Sequence, residues 1–123
     1  MPEEIERAVL EWYASHCSDP ALVAQVRSAI PGEREITSIG FFTKLLLPEG
    51  IAPLSIGSND QIAFQGCAVF ASELDPYADC ILHTVGGRIS SLEVYAVADG
   101  HPLRVSAFEV RGVEGNFVDM RHA

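Results

Sequence analysis

Near Arg34 the apolar pattern of this chain changes from a period of roughly 3.6 residues to a period of two. That switch limits the fold more than any other feature. A helical segment must come first and a sheet must follow. Upstream, the stretch PEEIERAVLEWYASHC sets Ile5, Val9, Trp12 and His16 along one stripe of a helix. Glu3, Glu4 and Glu6 fall in its first turn, where the helix dipole favours negative charge. Asp19 is a good N-cap and Pro20 suits the first position of a second helix, lined by Leu22, Val26, Ala29 and Ile30. Pro31 and Gly32 then stop it. So short a connection predicts an antiparallel or steeply angled helical pair over residues 1–32.

Downstream, Thr37, Ile39, Phe41, Thr43 and Leu45 alternate with Ile36, Ser38, Gly40, Phe42 and Lys44. Gly40 between apolar neighbours marks a bulge or a close backbone approach. The segment 48–60 is rich in Pro, Gly and Ser and reads as the longest loop, a connection rather than a lid. Further strands are expected at 61–72, 80–85, 88–97 and 103–111, and 113–123 forms a tail without periodicity. No repeat breaks the chain, so residues 1–123 form one α+β domain. The helical pair packs on a mainly antiparallel, curved sheet of about five strands over residues 33–112. Helices followed by long curved strands also match, in layout alone, a cone-shaped cavity fold of the nuclear-transport-factor-2-like type.

Two segments, TSIGFFTKLLLP (Thr37–Pro48) and ADCILHTVGGRISSLEVY (Ala78–Tyr95), resemble a family of small uncharacterised bacterial proteins. Members pair a Gly-Phe-Phe/Tyr-Thr strand with a later hairpin ending in a Leu-Glu-x-Tyr segment. The resemblance implies a similar fold and no assigned activity. LDPYADC stands here where that family has a small, glycine-rich approach to the hairpin.

Composition excludes several classes of function. Hydrophobic residues make up 48% and charged residues 20%, as in ordinary globular proteins. No apolar run reaches the roughly 20 residues of a membrane span. The start of the chain lacks a signal-peptide pattern, which predicts a cytoplasmic protein. Three cysteines at irregular spacing give no disulfide framework. A net charge of -9, with Lys44 the only lysine, opposes nucleic-acid binding and suits either simple solubility or a basic protein partner.

The candidate site lies on the Gly86-Gly87 hairpin. A two-residue Gly-Gly turn is a type I′ signature. Running the register on from it sets Cys80 opposite Glu93 and puts Leu82, Ile89, Glu93, Tyr95 and Val97 on one face. The other face, with Ile81, Leu92 and Val94, is then assigned to the helices. An apolar face with Glu93 at its centre is explained by an interface, by ordinary exposure or by a pocket, in that order. Leu82, Ile89, Tyr95 and Val97 are therefore the expected homodimer interface. Glu93, Tyr95 and His16 would line a cavity if one exists.

No catalytic residue is assigned, which argues against an enzyme, and no metal or cofactor is expected. Cys80 and His83 point to opposite faces of a strand, and adjacent His16 and Cys17 diverge on a helix. Cys67 reads as a small buried hydrophobe. The leading expectation is a binding or protein-interaction domain, for instance an acidic partner that neutralises a basic protein as bacterial immunity proteins do. The alternative is a small-molecule cavity protein.

Overall fold

The computed structural model describes residues 2–54, 61–113 and 119–122. Helices α1 (Pro2–His16) and α2 (Pro20–Ser28) precede eight strands: β1 (Ile30–Ile36), β2 (Gly40–Leu46), β3 (Gln61–Phe64), β4 (Cys67–Phe70), β5 (Ala78–Val85), β6 (Arg88–Ala96), β7 (Glu109–Gly112) and β8 (Asp119–His122). Every pairing is antiparallel, in the order β1-β2-β6-β5-β3-β8, with β4 joining β5 to β7. The fold is α+β, with the helices on an open sheet larger than the expected five strands.

The surplus has a simple origin. Phe64 pairs with Leu82 and Ala68 with Asp79, so β3 and β4 follow one another along the same edge of β5. Three residues, Gln65 to Cys67, stand there against two on β5, and the extra residue breaks one long strand in two. The break frees the Phe64 carbonyl and the Gly66 amide. The buried Tyr13 hydroxyl satisfies both, donating to Phe64 O at 3.1 Å and accepting from Gly66 N at 3.0 Å. Helix α1 is thus pinned to the sheet where the sheet is irregular.

The run expected as one strand from Arg34 to Leu45 is a hairpin instead. Thr37 Oγ1 accepts from the amides of Ile39 and Gly40, at 3.3 and 3.0 Å, and turns the chain between β1 and β2. Gly40 does mark a close approach: a Cβ there would lie 1.9 Å from Val94 O. Leu103–Arg111 is mostly not strand, since Pro102–Arg104 forms a 3-10 turn and β7 starts at Glu109. Part of the expected tail forms β8, and 55–60 of the expected long loop lie outside the described residues.

Helix α1 buries Ile5, Val9 and Tyr13 with Glu6, Leu10 and Ala14. The inward direction thus lies between the Ile5–Val9–Tyr13 and Glu6–Leu10 rows. Trp12 sits at the margin of this stripe, and His16 is exposed, its ring stacked on Trp12 at 4.5 Å. Asp19 caps α2 as expected, accepting from Ala21 N at 2.9 Å, with Pro20 at its start. The helix ends at Ser28, so Ile30 belongs to edge strand β1 and is exposed.

Candidate functional site

Both glycines of the β5–β6 turn have positive φ, 60° at Gly86 and 79° at Gly87, as a type I′ turn requires. The first pairs follow the expected register, Val85 with Arg88 and Thr84 with Ile89. Then His83 pairs with Ser91, not Ser90, because β6 carries a one-residue bulge. All later pairs shift by one: Leu82 faces Leu92, Ile81 faces Glu93, Cys80 faces Val94 and Asp79 faces Tyr95.

This shift corrects the face assignment. Since side chains alternate, Cys80, Leu82, Leu92 and Val94 lie together beneath the helices, fully buried. Ile89 joins them at 2% exposure. The expected interface of Leu82, Ile89, Tyr95 and Val97 is therefore not one surface. Leu82 and Ile89 are core, Tyr95 is half-buried on the opposite face, and Val97 is exposed past the end of β6. Cys80 and His83 do lie on opposite faces, Cys80 in the core and His83 outside it.

The outer face brings Glu93 and Tyr95 together with residues that the sequence did not single out. Paired positions run across it from Glu35 to Phe42, Glu93 and Ile81. The next row holds Gly40, Tyr95 and Asp79. Glu93 Oε1 lies 3.1 Å from His83 Nε2, with side chains 36% and 30% exposed, so the carboxylate is neither dry nor free. The Phe42 ring stands 5.8 Å from the His83 ring. Tyr95 donates its hydroxyl to Asp79 Oδ2 at 3.2 Å, and Gln65 Nε2 donates to the same oxygen at 2.6 Å. Partial burial first, and the Asp79 carboxylate second, raise the Tyr95 phenol above its ordinary range.

A shallow groove of about 230 Å³ follows this face, lined by Glu35, Thr37, Phe42, Glu93 and Tyr95 among others. That is below the roughly 300–1,000 Å³ of small-molecule sites. His16 does not share it, because it sits exposed on α1 on the helix side of the sheet. The cavity expected from Glu93, Tyr95 and His16 is thus not formed by those three residues.

The buried glutamate of this protein is another one. Glu6 is completely buried and holds Arg34 through two hydrogen bonds, Nε to Oε2 at 2.7 Å and Nη2 to Oε1 at 2.8 Å. Thr43 donates its hydroxyl to Oε2 as well. Glu6 looked like one of three dipole-favoured acids; its place on the inward side of α1, one residue after Ile5, was the available signal. Gln25 was also missed. Fully buried, it donates to Ala52 O and Gly87 O, each at 2.9 Å, and accepts from Ile89 N at 2.8 Å. It ties α2 to the glycine hairpin and to the loop beyond β2. Both networks tie a helix to the sheet through a fully buried polar side chain, although Arg34 keeps 22% of its side chain in solvent.

No family model matches this chain, and no curated protein or solved structure is significantly similar to it. The resemblance carried by Thr37–Pro48 and Ala78–Tyr95 rests on those segments alone.

Proposed function

We propose that this chain is a non-enzymatic protein-interaction domain whose outer sheet face receives a basic partner. The observation that carries this reading is the row Glu35–Phe42–Glu93–Ile81 on the face away from the helices. Acidic and apolar side chains alternate there, Glu35 and Phe42 exposed and Glu93 and Ile81 half-buried. A face with a groove smaller than a small-molecule site and an exposed aromatic ring among carboxylates suits the docking of a basic chain. The net charge of -9 adds attraction for a cationic partner and speeds its encounter. A two-fold contact of this face with itself would bring together two faces that each carry Glu35, Glu93 and Asp79, which favours a different, basic chain over a second copy.

Selection of a random-peptide display library against the whole protein tests the reading. Peptides joining Arg or Lys to an aromatic residue are expected to be enriched, and to lose about tenfold or more in affinity against the Glu35→Lys/Glu93→Lys variant. Enriched peptides without basic character, or with unchanged affinity for that variant, would overturn it.

A further inference from the structure

A second concavity lies on the other side of the molecule, between α1, α2 and the start of β1. Its volume is about 660 Å³, inside the range of small-molecule sites. The floor is apolar: Leu10, Ala14 and Val26 are 7%, 8% and 4% exposed. Around it stand three of the protein's seven arginines, Arg7, Arg27 and Arg34.

These arginines are not equivalent. Arg34 is committed, with Glu6 holding its guanidinium and Glu3 a further 3.7 Å away. Arg7 and Arg27 have neither an ion-pair nor a hydrogen-bond partner among the described residues. In a chain with 17 acidic residues against 8 basic ones, two guanidiniums without a bonded partner on one cleft are unusual, even though Glu3 and Glu11 on its wall balance their formal charge. Each offers a planar fork suited to a carboxylate, and each has an aliphatic stem that can extend the apolar wall. Glu3 and Glu11 also line the cleft and would repel a head group of high charge. The chemistry that fits is one negative charge on an apolar body.

We propose that this cleft binds a small amphipathic carboxylate, its head between Arg7 and Arg27 and its ring or branched chain over Leu10 and Val26. The site is on the helix side of the sheet and does not depend on the docking face proposed above.

The probe is 4-phenylbutyrate, with its uncharged amide as control, titrated into protein whose Leu and Val methyl groups are labelled for NMR. Saturable shifts are expected at Leu10 and Val26, and not at Leu92 or Val94, which lie deep between the helices and the sheet. The amide, and the Arg7→Gln and Arg27→Gln variants, should each bind about tenfold more weakly or worse. Both arginines are exposed, so the variants should fold, and an unchanged methyl spectrum before titration verifies it. No saturable shift at Leu10 and Val26, equal binding of acid and amide, or undiminished binding by both variants would each overturn the assignment.

Discussion

The Glu6 carboxylate and the Arg34 guanidinium, 28 residues apart, meet through two parallel hydrogen bonds of 2.7 and 2.8 Å. The carboxylate is fully buried, whereas the Arg34 side chain keeps 22% of its surface in solvent. The pair joins α1 to edge strand β1, and Thr43 extends the join to β2.

Breaking one side of this pair should be costly. Glu6→Gln is expected to destabilise the fold by about 2 kcal/mol, because the Arg34 guanidinium loses its bidentate counter-charge and keeps only Glu3, 3.7 Å away, and its partial contact with solvent. The Glu6→Leu/Arg34→Met double variant should lose less than Glu6→Gln alone. Urea denaturation of the three proteins measures this; a double variant worse than the single one would contradict it.

Gln25 should rank with the core residues although it is polar. Gln25→Leu leaves the buried Ile89 amide without its acceptor, whereas the carbonyl of exposed Ala52 can turn to water, at a cost of about 2 kcal/mol. Gly87 O keeps the bond from Leu54 N at 2.7 Å, so the turn itself should survive. Hydrogen exchange at the Ile89 amide should accelerate more than exchange at Leu54, and equal acceleration would count against the clamp.

Glu93, by contrast, should matter little to stability. Its contact with His83 joins two side chains each about a third exposed, and such pairs contribute under about 1 kcal/mol. Glu93→Gln is expected to leave the urea midpoint nearly unchanged. A loss approaching that of Glu6→Gln would move Glu93 into the structural core of the protein.

The protein should weaken in mild alkali under reducing conditions. A hydrogen bond with Cys67, followed by burial, holds the Cys80 thiol well above its ordinary range. In the unfolded chain that thiol ionises above about pH 8.5, while in the folded chain it stays protonated. The unfolded state then binds fewer protons, so stability falls as pH rises, by about 1.4 kcal/mol per pH unit for each such group. Burial likewise raises the Tyr13 phenol, so its contribution begins above about pH 10. Between pH 9 and 10, Cys80→Ala should show a flatter decline than the parent in urea denaturation, and identical slopes would refute the cause.

What the sequence determined by itself was local. The Asp19-Pro20 helix start, the type I′ turn at Gly86-Gly87 and the close approach at Gly40 each depend on one or two residues and their backbone preferences. The change of period was enough for an α+β fold with helices first. Which face of the hairpin meets those helices was decided only in three dimensions. One bulge at Ser90 reverses the alternation for the rest of β6, and no turn residue announces it. The partners that hold Glu6 in the core were equally invisible, since Arg34 and Thr43 lie 28 and 37 residues away and converge on it only when β1 and β2 pack against α1. A side chain's local period says where it can point; the packed neighbours decide whether a charge there can be kept dry.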